Sequence, residues 1–214
     1  MQKYSCDGVP KVDYVFIAGD LFEGLQGMEF TYELVKCNPR FRAQAEAILE
    51  YQVNLVFNVI SKYDFDYRAI YGNHDYTFEQ VGLESPLKLL QEKMRAAGKR
   101  FTYYDTYLVD FIIAGVAKRV MHLESYHKRD GAVHAYDRIT KFKEHGGLEV
   151  HYNGKTFPIR FFHCGHIHRR EELYDSRDKI YISQPGSFIK QEMLYSPVIH
   201  VKGTVLEDKR IVRD

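Results

Sequence analysis

No apolar run in this 214-residue chain approaches the roughly 20 residues needed to cross a bilayer, so no membrane span is expected. The first residues, Met1 to Asp7, lack the apolar core of a secretion signal. Cysteine is scarce: Cys6, Cys37 and Cys164 are odd in number and far apart, which argues against a disulfide framework and suits a reducing compartment, cytoplasmic or nuclear. A basic excess is missing too. A non-specific nucleic-acid binder usually carries a basic excess, so with a net charge of +1 the chain is expected to bind DNA only through a local patch or with a partner's help. Tryptophan is absent beside 17 tyrosines, and nothing physical follows from that.

What is present is an ordinary globular composition, 45% hydrophobic and 28% charged, long enough for one full core. Tyr14–Ala18 is a continuous apolar run that reads as a strand buried on both faces, ending at Gly19-Asp20. Asn38-Pro39 supplies an N-cap and a first-turn proline for a helix over 41–60. A strand over 68–71 follows. Ser85-Pro86 then opens a second helix, whose Leu87, Leu90, Met94 and Ala97 recur at helical spacing before a stop at Gly98. Strand and helix alternate, so the fold class is α/β and layered.

Beyond residue 100 the signal shortens. Strands are expected over 101–104, 107–109 and 111–114. The stretch 118–147 is polar and weakly periodic, either a long loop or a helical insertion. Residues 148–152 and 155–157 flank Asn153-Gly154, a hairpin turn. Further strands are expected over 159–162, 181–182, 198–201, 205–206 and 211–212. No repeat or linker interrupts the chain, which reads as one domain over 1–214.

Polar groups collect where these strands end. The first carries Asp20, the next runs into Gly72-Asn73-His74-Asp75, and the strand over 159–162 leads to Gly165-His166-Ile167-His168. Carboxylate and amide oxygens with neutral imidazoles suit a divalent metal, Mn²⁺, Fe²⁺ or Zn²⁺. His166 and His168, two apart, share a face of an extended strand. His74 is a candidate proton carrier, and Asp75 a group to orient it.

These motifs, in this order, resemble the calcineurin-like metallophosphoesterases, whose signature is D-x-H, G-D, G-N-H-[DE], a lone histidine and G-H-x-H. Ile17 to Phe22, Gly165 to Arg169, and Tyr181 to Ser187 with its Gln-Pro-Gly-Ser turn resemble the SbcD-type double-strand-break repair nucleases in particular. The resemblance implies a metal-dependent phosphodiesterase, a DNA nuclease, with Mn²⁺ as the first choice of ion. It implies that Asp20 bridges two ions, that Asn73 and His166 bind one and His168 the other, that His74 is the general acid and that Asp75 orients it. It also implies an ATPase partner and a homodimer. The capping domain of such nucleases has no counterpart expected within 1–214.

Two parts of the signature are incomplete. The D-x-H motif has only Asp7 in a comparable place, with Val9 where histidine is expected. Six residues separate Asp7 from Tyr14, too few for the dozen or so of a parallel crossover. The first strand and helix therefore read as shortened or absent, which leaves two further readings: a small-molecule phosphodiesterase or phosphatase, and a scaffold that has lost its chemistry. For the lone histidine, His145 is the first choice because Gly146 follows it. His122 and His134 stand behind it, with His127 and His151 in the same window. His163 and Cys164 read as packing residues. Lys118-Arg119, Lys128-Arg129 and Arg169-Arg170 lie beside acids and read as a solvated face.

Overall fold

The computed structural model describes residues 12–25, 32–113, 115–123, 140, 143, 147–166, 171–184, 198–199 and 211–212. It is a mixed α/β structure, whose described residues fall into two compact units. The first draws on 12–17, 22–69 and 74–104, the second on 18–21, 70–73 and the chain from 105 onward. No helix of the described residues is long and apolar enough to cross a membrane.

In the first unit, three strands lie in the order β1 (Tyr14–Ala18), β2 (Asp66–Ile70), β3 (Arg100–Tyr104), up to Ile17 and Ala69. Its helices are α1 (Tyr32–Cys37), α2 (Pro39–Ile60), the short α3 (Thr77–Gln80) and α4 (Pro86–Ala96). The expected caps form: Asn38 Oδ1 accepts from the Arg40 N–H at 3.0 Å, and Ser85 Oγ from the Lys88 N–H at 3.4 Å. α2 buries Ala45, Leu49 and Val53, and α4 buries Leu87, Leu90 and Met94, the faces their spacing predicts. β1 departs from expectation. It is half-buried at the edge of its sheet and was expected to be covered on both faces.

The second unit is built on a mixed sheet ordered β4 (Leu108–Ile113), β5 (Val116–His122), β7 (Lys155–Gly165), β9 (Ile180–Gln184), β8 (Glu171–Asp175), with β6 (Glu149–Tyr152) on β7. β5, β7 and β9 run parallel, while β4 and β8 pair antiparallel at the two sides. Met121, Phe162, Cys164 and Ile182 build the core, so Cys164 is a packing residue as expected. The β6–β7 hairpin turns at Asn153-Gly154, both at positive φ (50° and 71°). β10 (Val198–Ile199) pairs antiparallel with β11 (Ile211–Val212).

β5 corrects the start of the stretch read as a long loop or a helical insertion, and Lys118-Arg119 is not a solvated face: the two residues are 4% and 7% exposed. One ion pair explains why β5 was missed and why β4 was expected as two strands, over 107–109 and 111–114. Asp110 lies directly opposite Arg119 and takes a fork of two bonds, from Nε at 2.7 Å and Nη2 at 2.8 Å. Each charge interrupts an apolar run, and across the ladder each satisfies the other. Lys118 lies on the opposite face of β5, its Nζ 4.5 Å from the centre of the Phe161 ring.

Candidate metal centre

β5 and β7 are parallel neighbours, and His122, the last residue of β5, stands opposite Gly165, the last of β7. His166 follows immediately. The carboxyl ends of adjacent parallel strands thus deliver two imidazoles to one place, the usual position for a site in such a sheet. Their rings meet edge-on, centres 4.8 Å apart. The segments 18–21 and 70–73 belong to the same unit and bring Asp20 and Asn73. His122 Nε2 is 2.9 Å from Asp20 Oδ2, and His166 Nδ1 is 3.1 Å from Asn73 Oδ1.

Two glycines make this approach feasible. A Cβ on Gly72 would fall against the backbone nitrogen and Oδ1 of Asp20, and one on Gly19 against the His122 ring. Gly19 also has φ +88°, and two ligand-type residues hold left-handed backbone, Asp20 at 55° and His166 at 83°. Such conformations cost roughly 1–3 kcal/mol each in a residue with a Cβ, and they persist where surrounding structure enforces them. Here the Tyr71 N–H donates to the Thr106 carbonyl at 3.1 Å and the His122 N–H to the Tyr107 carbonyl at 2.8 Å.

The donor set fits a divalent cation. One ligand atom each from Asp20, His122 and His166 lies within 4.8 Å of the others, and Asn73 adds an amide oxygen beside His166. His122 is fully buried, with Nε2 turned to Asp20, and its Nδ1 finds no hydrogen-bond partner among the described residues.

The other half of the Gly-Asn-His-Asp motif falls in the first unit. The His74 Nδ1 lies 3.0 Å from the Glu23 carbonyl, which can only accept, so this nitrogen carries the proton of that bond. Asp75 is fully buried and takes the Phe22 N–H at 2.9 Å. Thr77 Oγ1 donates to the His74 carbonyl and accepts from the Leu25 N–H, both at 2.8 Å. The loop 22–25 is thereby laced to the turn that carries His74. Glu23 acts through its backbone oxygen, a role no side-chain pattern announces.

Of the residues singled out in the sequence, Asp20, Asn73 and His166 come together, and His122 from the lone-histidine window joins them. Asp7, His127, His134, His145, His168 and the Pro-Gly-Ser segment at 185–187 lie outside the described residues. His151 is on the β6–β7 hairpin, 2.9 Å from Thr156 Oγ1 and exposed. His163 lies in β7 two residues before its end, opposite Val120 and Ser183. Removal from water, and secondarily the Lys118 charge, push its imidazole down to about 3. Burial likewise pushes Lys118 down to about 8.

No family model and no curated protein matches the chain. Among solved structures it is similar to one described as a novel archaeal phosphodiesterase, at 12% identity and a TM-score of 0.43, covering 74% of this chain and 75% of that one.

Proposed function

We propose that the protein is a metal-dependent phosphodiesterase whose ion is held by Asp20, Asn73, His122 and His166. The observation that carries this reading is the convergence of those four groups at the ends of parallel strands and their loops. A bound divalent cation would supply charge neutralisation at a phosphoryl group and a nucleophile from water at neutral pH. The chain's own residues do the rest. Asp20 and Asn73 offer hard oxygens. His122 and His166 offer imidazole nitrogens in orientations fixed by β5 and β7. His74, one peptide beyond Asn73, is the proton donor that the resemblance implies, with its Nδ1 engaged by the Glu23 carbonyl. Asp75 holds the loop after Asp20 through the Phe22 N–H, which keeps the His74 turn in place.

The substrate in this reading is DNA, supported by the SbcD-like segments, with Mn²⁺ as the working ion. An ATPase partner and a homodimer belong to the same resemblance. The test is hydrolysis of bis(p-nitrophenyl) phosphate, linear DNA and small phosphate monoesters with Mn²⁺ present. DNA and the diester should be turned over, and Asp20→Ala should remove both activities. Turnover of monoesters alone, or diester turnover untouched by Asp20→Ala, would contradict it.

A further inference from the structure

Gln52 lies within α2, beside the core residue Val53, and its side-chain amide meets both backbone groups of Gly24. Oε1 accepts from the Gly24 N–H and Nε2 donates to the Gly24 carbonyl, each at 3.0 Å. An amide side chain offers acceptor and donor together, whereas a carboxylate could make only the first bond and an ammonium only the second. Gly24 is needed at this crossing. Its φ is +72°, and a Cβ there would fall on the His74 carbonyl and on Thr77 Oγ1.

We propose that Gln52 is a positioning residue for His74. The Gly24 N–H and the Glu23 carbonyl belong to one planar trans peptide and point in opposite directions. Holding the N–H therefore aims the carbonyl, and that carbonyl faces His74 Nδ1 at 3.0 Å. Asp75 and Thr77 hold the two ends of the loop, through the Phe22 and Leu25 N–H groups. The Gln52 pair holds the peptide between them. All of these residues belong to the first unit. The amide acts on the ring through the Glu23–Gly24 peptide, so its removal should loosen the ring and leave the ion's ligands as they are. The proposal rests on the reading of His74 as the proton donor.

The experiment compares the full-length wild type with Gln52→Met, Gln52→Asn, whose amide is one methylene short, and Gln91→Met. Gln91 is the control, because its Oε1 on α4 also accepts a backbone N–H, that of Tyr103 at 3.1 Å, away from the loop. Long-range ¹H–¹⁵N spectra at about pH 8.5, above the ordinary imidazole range, report which nitrogen of His74 carries the proton, the signals being assigned by their loss in His74→Gln. The wild type should show Nδ1 protonated. Both Gln52 variants should move the two ring nitrogens toward the average of the two tautomers, and Gln91→Met should not. With Mn²⁺ and bis(p-nitrophenyl) phosphate, kcat should fall at least about fivefold in the Gln52 variants, with KM and Mn²⁺ affinity within about twofold of the wild type. Wild-type ring signals in both Gln52 variants, an equal change in Gln91→Met, or a displaced ring with kcat unchanged would overturn the proposal. The spectra need no turnover, so they decide whether Gln52 holds the ring even where the phosphodiesterase reading fails.

Discussion

Lys118 and His122 lie on the same face of β5, four residues apart, and His163 and His166 belong to β7 and the residue just past its end. The two places are made from the same pair of strands, yet their polar groups meet opposite fates. At the strand ends, His122 and His166 find oxygen partners, Asp20 and Asn73, delivered by loops that glycine lets in close. Within the strands, Lys118 faces an aromatic ring, and both it and His163, two residues before the end of β7, are pushed toward their neutral forms by loss of water. Burial alone therefore does not make a site. A site needs loops that bring complementary donors, and among the described residues of this sheet those arrive at the carboxyl ends.

The largest effect should come from breaking the strand-end cluster. Asp20→Ala or His122→Ala should abolish metal binding and lower diester turnover by at least about a thousandfold, read by calorimetric titration and initial rates. His74→Gln should sharpen the contrast between holding the ion and moving a proton. Turnover should fall about a hundredfold or more with metal affinity unchanged; an equal loss of both would put His74 among the ligands.

The buried groups inside the strands, Lys118 and His163, predict effects on stability. Lys118→Met removes a charge that is buried at neutral pH, and denaturant titration at pH 7 should show a gain of about 1–3 kcal/mol, discounted for the lost ring contact. A loss of stability would mean that the ammonium has a compensating partner. For His163 the folded form resists protonation down to about 3, whereas the unfolded imidazole protonates near 6.5. Its contribution is full above pH 6.5 and is lost as the pH falls from 6.5 toward 3. His163→Gln should flatten that part of the curve in melts between pH 7 and pH 4. The smallest effect should be cross-talk between the two: Lys118→Met, by removing a nearby positive charge, should make the acid limb slightly shallower.

The helices α2 and α4 and their caps were legible because Asn38-Pro39 and Ser85-Pro86 act locally, and so was the Asn153-Gly154 turn, whereas the short α1 and α3 were not expected. Asp20, Asn73 and His166 were legible because motif and strand end coincide. β5 was not: a strand with Lys118-Arg119 in it looks solvated until Asp110 and the Phe161 ring are placed across the ladder. The rank of His122 depended on that strand, since its value as a ligand lies in ending opposite Gly165. The Glu23 carbonyl was out of reach for a different reason, because a backbone oxygen leaves no mark in the pattern of side chains.

The most direct test of the metal centre is a calorimetric Mn²⁺ titration of the wild type, His122→Ala and His145→Ala. Saturable binding that His122→Ala weakens at least about a hundredfold, with His145→Ala like the wild type, is the predicted result. Binding lost in His145→Ala and kept in His122→Ala, or no binding by the wild type, would contradict it.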